Sequence, residues 1–124
     1  MVKFELEYIL KTSVKVLYPR LSTPSGLADW FADNVDLDGD IFTFYWEGSA
    51  QSAKVLFKRR DKAIRFRWLE DEGEDVYFEF KIRVDDLTNE VALIVTDFAE
   101  EDEVEDAKEL WNKQIGRFCH NLGI

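Results

Sequence analysis

The chain has 124 residues, which is enough for one domain core and too short for two. Hydrophobic residues make up 46% of it and aromatic residues 15%, so it can fold by burying apolar surface, and Cys119, the only cysteine, excludes an internal disulfide. The formal net charge of −10 argues against nucleic acid and anionic lipid surfaces as partners, because both repel an acidic protein.

The N-terminal segment determines which compartment we expect. Residues 1–20 lack the uninterrupted apolar run that a signal peptide or a membrane span needs. A lone cysteine is typical of a reducing compartment. We therefore expect a single domain over residues 1–124, located in the cytoplasm and without a membrane span.

The first elements are a strand and two short helices. Residues 3–10 alternate between apolar and polar side chains, which predicts a half-buried strand. Ser13 is a suitable N-cap for a first helix, and Thr23 followed by Pro24 is a suitable start for a second. Pro19 falls inside the first helix, where its missing N–H and its ring predict a kink or an early end.

The middle of the chain reads as a series of strands. Apolar residues follow a period of two in segments separated by turn residues, at 41–46, 53–57, 64–68, 76–84 and 91–98. Short connections between successive strands predict antiparallel pairing in a meander. Residues 34–39 are expected to form a polar connection that ends in a turn at Asp38-Gly39.

The last segment predicts a long amphipathic helix. Its apolar residues recur at steps of three or four: Val104, Ala107, Trp111, Ile115, Phe118 and Leu122. Acidic residues 100–103 precede it and Lys113 and Arg117 lie towards its end, which suits the helix dipole. The aromatic face of the predicted sheet is the expected partner of this stripe.

This order of elements and one segment carry a family resemblance. Residues 13–31 combine a capped helix, with Tyr18 and Leu21, and a proline-started helix that ends in Trp30-Phe31. The segment resembles the START-like branch named for the activator of the ninety-kilodalton heat-shock protein's ATPase. The resemblance implies an α+β helix-grip fold, in which a curved antiparallel sheet of about six to seven strands wraps around a long C-terminal helix.

The resemblance also implies a hydrophobic cleft between the sheet and the last helix, which in various relatives holds lipids, hormones or polyketides, or serves a chaperone partner. The pocket candidates are the aromatic residues of the predicted sheet and helices and one isoleucine: Tyr8, Trp30, Phe31, Phe44, Trp46, Phe66, Trp68, Phe78, Phe80, Trp111 and Ile115. The alternative interpretation is that these residues form ordinary core.

Three functions follow, in order of preference. The first is a non-enzymatic domain that binds a small apolar, lipid-like ligand in the groove. The second is a protein-interaction or co-chaperone-like module whose core is filled. The third is a small cyclase-like or hydrolase-like enzyme, although no catalytic set of the family can be matched residue by residue.

No cofactor or metal site is expected. Residues 34–39 resemble the opening of a calcium loop, but the twelfth position is Tyr45 and a strand, not a helix, follows. Cys119 and His120 are adjacent in a helix, where neighbouring side chains diverge by about 100°, so they do not form a nucleophile-base pair. We interpret Cys119 as a buried structural thiol and expect His120 to face water.

Basic residues occupy the faces opposite the aromatics of their strands: Lys54, Lys58, Arg65, Arg67, Lys81 and Arg83. They predict a basic stripe on the convex side of the sheet, interpreted as a solvated face with cross-strand pairs to Glu79 or as a docking surface for an acidic protein. Nucleic acid is not expected, because the aromatic residues point inwards. Exposed sheet edges also leave a homodimer open.

Overall fold

The computed structural model describes residues 1–124. Seven strands and three helices make up the chain in the order β1 (Val2–Leu10), α1 (Val14–Ser22), α2 (Pro24–Ala28), β2 (Asn34–Asp38), β3 (Ile41–Trp46), β4 (Ser49–Arg59), β5 (Ala63–Trp68), β6 (Phe78–Val84), β7 (Val91–Ala99) and α3 (Val104–Leu122). Short 3-10 turns at Leu69–Asp71 and Glu101–Glu103 follow β5 and precede α3. None of the helices is both long enough and apolar enough to cross a bilayer.

All strands belong to one antiparallel sheet with the order β1-β7-β6-β5-β4-β3-β2. Strands β2 to β7 pair with their neighbours in sequence, which confirms the predicted meander. The first strand is the exception, because it pairs with the last, with Val2 opposite Ala99 and Leu10 opposite Val91. The register of β4 shifts between Val55 and Phe57, which marks a bulge in that strand.

The core lies between one face of the sheet and α3. Alternate residues of the strands point to this face, and Phe44, Phe66 and Phe80 on it are completely buried. The helix contributes Trp111, Ile115 and Phe118, which are also buried. A sheet that packs its aromatic face on a long C-terminal helix is the helix-grip arrangement, so the predicted fold class is confirmed.

Two capped helices connect β1 to the meander. The Ser13 hydroxyl accepts a hydrogen bond from the Val16 amide at 3.2 Å, and the Thr23 hydroxyl accepts one from the Gly26 amide at 3.0 Å, as the cap residues predicted. The first helix continues through Pro19 to Ser22, so the prediction that it ends early at Pro19 is wrong.

A close approach of backbones fixes α2 against α1. A Cβ atom built on Gly26 would lie 2.2 Å from the carbonyl oxygen of Pro19 and 2.6 Å from the Cα of Arg20. Only glycine fits at this crossing. The crossing in turn places Trp30 and Phe31, which follow the C-cap of α2, on the core side of the sheet, where Trp30 stacks on Phe118 with ring centroids 4.9 Å apart.

Strand β2 lies where the sequence predicts a polar connection. Residues 34–38 were expected to be a polar connection, but they pair antiparallel with β3, with Asn34 opposite Tyr45 and Asp38 opposite Ile41. Only Val35 of this strand is buried, since it lies at the edge of the sheet. The predicted turn at Asp38-Gly39 is present, with Gly39 at a φ of 63°.

Candidate functional site

A groove opens between the concave face of the sheet and α3. Its volume is about 540 Å³. The lining residues come from the strands, from the segment after α2 and from one side of α3: Phe31, Trp46, Gln51, Trp68, Phe78, Asp97, Ala107, Leu110, Trp111, Lys113, Gln114 and Arg117. This volume lies within the range of pockets that hold small organic ligands.

Aromatic rings form the floor of the groove because strand residues of the same parity share one face. Trp46, Trp68 and Phe78 belong to β3, β5 and β6, and the rings of Trp68 and Phe78 lie 4.8 Å apart. Phe31 is held beside them, since the Trp46 indole N–H donates to the Phe31 carbonyl at 3.0 Å. Trp111 on α3 stacks on Phe31 with a centroid distance of 5.8 Å.

One carboxyl group lies in this aromatic environment. The Asp97 Oδ2 atom accepts a hydrogen bond from the indole N–H of Trp111 at 2.9 Å, and its Oδ1 atom accepts one from the Phe98 amide at 2.8 Å. Burial raises the pKa of Asp97 above its ordinary value, although both hydrogen bonds act in the opposite direction. Asp97 therefore gives the groove a polar group that holds its proton to higher pH than an exposed aspartate does.

The helix side of the groove carries two cations. Lys113 and Arg117 lie four residues apart on α3, both exposed, and neither makes a salt bridge. The strand side carries the Gln51 amide, which donates to a carboxylate oxygen of Glu70 at 2.9 Å. The groove thus has a positive rim on the helix and a neutral to acidic rim on the sheet.

The structure divides the predicted pocket candidates into two groups. Phe31, Trp46, Trp68, Phe78 and Trp111 line the groove. The remaining candidates lie outside its lining: Trp30, Phe44, Phe66, Phe80 and Ile115 are buried core, and Tyr8 is half-buried on β1.

Two of the residues outside the lining already have polar partners in the protein. The Trp30 indole donates to the Arg20 carbonyl at 2.9 Å, and the Tyr8 hydroxyl donates to the Asn112 side chain at 2.6 Å. Their polar atoms are therefore engaged by the fold. The expectation that aromatic residues line a groove describes the first group of pocket candidates. The alternative, that they form ordinary core, describes the buried residues of the second group.

The polar residues of the groove were not predicted from the sequence. Asp97 has the same parity in β7 as Leu93 and Val95, both completely buried, and this parity was the signal that it faces the core side. Lys113 and Arg117 were interpreted only as partners of the helix dipole. Their spacing from Trp111 along α3 already placed them at the flank of the apolar stripe.

The cysteine and histidine follow the predicted geometry in part. Cys119 is half-buried and packs against the core, and burial raises the pKa of its thiol. His120 is exposed, as predicted. No group of three or more histidine, cysteine or acidic side chains is arranged to hold a metal ion.

The convex face of the sheet is a second candidate surface. Arg65 donates to a carboxylate oxygen of Glu79 at 2.7 Å, directly across β5 and β6, and Glu79 is only 4% exposed. The Arg65 guanidinium also lies 3.9 Å from the centre of the Tyr77 ring. Among the other basic residues of the predicted stripe, Arg67 is half-buried and Lys54, Lys81 and Arg83 are exposed. Lys58 does not belong to this face, because the bulge in β4 places it opposite the core residue Ile64 and places Phe57, expected on the buried face, opposite Arg65.

The chain matches the model of the START-like superfamily domain over residues 1–124. No curated protein gives a significant match. Among solved structures, a solution structure of a Bacteroides fragilis protein is 40% identical, with a TM-score of 0.71 and coverage of 99% of this chain and 92% of that chain.

Two more distant structures share the fold. The Aha1 dimer from Colwellia psychrerythraea is 18% identical, with a TM-score of 0.77 and coverage of 93% of this chain and 91% of that chain. DynU16, from the dynemicin biosynthetic locus, is 17% identical with a TM-score of 0.81, and the match covers 98% of this chain and 47% of that one. Because the family model spans the whole sequence and a relative is 40% identical over nearly all of it, this protein belongs to the START-like superfamily.

Proposed function

We propose that this domain binds a small apolar ligand in the groove between the sheet and α3, without chemical conversion of that ligand. The observation that carries the proposal is the groove itself, a space of about 540 Å³ with an aromatic floor and only a few polar groups. Sites for small molecules have this composition, with apolar walls that supply affinity and placed polar groups that fix orientation.

The groove is additional to the core and is not a gap in it. Phe44, Phe66 and Phe80 already fill the interior beneath the groove. Above them, Trp46 and Trp68 remain half-buried, and Leu110 on α3 is 59% exposed at the groove. An apolar ligand would remove this remaining apolar surface from water at about 25 cal/mol for each Å².

Binding without catalysis agrees with the chemistry available. Asp97 is the only carboxyl group that lines the groove, and its hydrogen-bond partners are the Trp111 indole and a backbone amide. Neither partner exchanges a proton with a carboxyl group near neutral pH, so the site lacks a bonded acid-base pair.

The test uses Nile red, an uncharged dye whose fluorescence rises in apolar surroundings. We expect saturable binding by the purified protein with a stoichiometry of about one, as one groove predicts. Ala107→Phe places a ring in the groove and should abolish binding. His120→Phe, an exposed position on the same helix outside the groove, is the matched control and should bind as the parent does.

Unsaturable dye fluorescence, or equal binding by the parent and Ala107→Phe, would reject the groove as the site. Mass spectrometry of the gently purified protein adds an independent observation, since a small molecule that copurifies in stoichiometric amount would identify the ligand class directly.

A second candidate function is protein interaction, by analogy with a co-chaperone-like module. It is favoured by Lys54 and Lys81, two exposed cations of the convex face that make no salt bridge, whereas the arginines of this face pair with carboxylates. The predicted partner is an acidic protein segment. A labelled poly-glutamate peptide should bind at low salt, and Lys81→Gln with Arg83→Gln should weaken that binding while Nile red binding stays unchanged.

A homodimer is a further prediction, because the exposed edge strands of the sheet can pair with a second copy of the chain. The Aha1 structure from Colwellia psychrerythraea is a dimer. Light scattering at several protein concentrations tests this directly. A constant mass near 14.6 kDa would reject self-association.

A further inference from the structure

We propose that the ligand of the groove is a monocarboxylate amphipath, whose apolar body lies on the aromatic floor and whose carboxylate binds between Lys113 and Arg117. This inference rests on the proposed function, because it specifies the chemical class of the molecule that occupies the same groove.

The unpaired state of the two cations is the first argument. The chain has 26 acidic and 16 basic residues, so a basic side chain has many carboxylates available to it. Even so, neither Lys113 nor Arg117 pairs with any of them, although both line the groove. Residues four apart on a helix are neighbours on its surface, so both side chains can reach one anionic group.

The distribution of charge across the groove gives the head group its position. The sheet side carries Asp97 and the Gln51 amide that is bonded to Glu70. An anionic group there would meet carboxylates, whereas at the α3 rim it meets two cations. The ligand is therefore oriented with its charged end towards α3 and its apolar end over Trp68 and Phe78.

The same distribution limits the charge of the ligand. A dianionic head, such as a phosphate monoester, would experience more repulsion from a chain of net charge −10 and from the carboxyl group in the same groove. A single carboxylate is matched by the planar fork of Arg117, which donates two parallel hydrogen bonds, and by the ammonium group of Lys113.

Asp97 supplies a complementary polar contact in the interior. Its two oxygens accept hydrogen bonds from the Trp111 indole and the Phe98 amide, and their remaining lone pairs can accept one from a hydroxyl group on the body of the ligand. A hydroxylated carboxylic acid would use both this group and the cationic rim. The rim remains the part that selects the carboxylate.

The experiment compares decanoate with 1-decanol, which share a ten-carbon chain and differ in head group, as competitors of bound Nile red. At pH 7.5 we expect half-displacement by decanoate at a concentration at least tenfold lower than by decanol. The net charge of the protein repels decanoate, so nonspecific attraction does not explain a preference in that direction.

The variant Lys113→Gln with Arg117→Gln should reduce the preference for decanoate to threefold or less, measured as the ratio of the two half-displacement concentrations against the dye bound by that same variant. Lys81→Gln with Arg83→Gln makes the same change of formal charge on the convex face, so it controls for long-range electrostatics and should keep the full preference.

The outcomes separate this inference from the proposed function. If Nile red binds the groove but decanoate shows no preference over decanol, or neither displaces the dye, the carboxylate assignment is wrong and the apolar groove stands. If the preference survives in the Lys113/Arg117 variant, the head group binds elsewhere and the assignment is also wrong. If Nile red does not bind the groove, the proposed function itself fails.

Discussion

Replacing Trp111 with alanine tests whether this residue anchors α3 to the sheet. The indole is 6% exposed, stacks on Phe31 and lies 5.8 Å from the Phe80 ring, centroid to centroid. Truncating a buried tryptophan to alanine typically costs about 3–5 kcal/mol. Because one side of the ring borders the open groove, water fills part of the space, and we expect the lower end, about 3 kcal/mol.

Trp111→Phe is the matched variant that keeps a ring on the floor of the groove. It removes the hydrogen bond to Asp97, which is worth about 1 kcal/mol, and a small part of the buried area, so we expect a loss of about 1.5 kcal/mol. Urea unfolding followed by far-ultraviolet circular dichroism avoids the change in tryptophan fluorescence. The free energy of unfolding falls by about 2 kcal/mol per molar urea, so the midpoint of the alanine variant should lie at a urea concentration about 1.5 M lower than that of the parent.

An alanine variant that unfolds at the parent's urea concentration would show that α3 is not held by this residue. Equal losses in both variants would show that the hydrogen bond, and not the ring, carries the stabilisation.

Three further predictions concern stability. Gly26→Ala should destabilise the protein by about 2 kcal/mol or more, because the added Cβ collides with the backbone of α1. Gly116→Ala on α3, where the Cβ meets nothing within 4 Å, should stabilise it by about 0.5–1 kcal/mol. Thermal unfolding of both variants checks the two directions, and stability changes of the same sign would contradict the packing at the helix crossing. Burial raises the pKa of Asp97 above 3.8, so its stabilising contribution is present below that pH and is lost as the pH rises through its pKa in the folded protein. The stability of Asp97→Asn relative to the parent should therefore increase with pH over that interval, and a flat or falling difference in urea titrations would refute the assignment. Glu79→Ala leaves the half-buried Arg65 unpaired and should lower the free energy of unfolding by about 2 kcal/mol, less than for a fully buried pair because water reaches the guanidinium. A decrease of less than about 0.5 kcal/mol in urea unfolding would show that the pair does not stabilise the fold.

The fold was predictable from the sequence because its strong signals are periodic. The alternation in β3, β5 and β6 and the apolar stripe of α3 each span several turns or strand repeats, and both periods persist in the structure. β2 was not predictable in the same way. It is five residues long, two of them are aspartates and only Val35 is buried, so its strand geometry comes from pairing with β3 and not from its own composition.

The candidate site was predictable only in its apolar part. The aromatic residues indicate a hydrophobic face of the sheet. Which of them line the groove depends on the positions of α2 and α3, which are set by tertiary packing. Phe31 lines the groove while its neighbour Trp30 is enclosed beneath it. Local periodicity does not distinguish these two positions.

The pairing of β1 with β7 determines how the sheet is protected from aggregation. The five residues Val91–Val95 of β7 are all buried and all apolar, the composition of a segment that associates with other strands when its edge is open. β1 covers that edge, and its outward Lys3, Glu5 and Glu7 present charges at the new border of the sheet. Because these strands come from opposite ends of the chain, the edge of β7 is exposed in any folding intermediate that has formed the meander first. The pairing of β1 with β7 therefore completes the fold and also covers the apolar edge of the sheet.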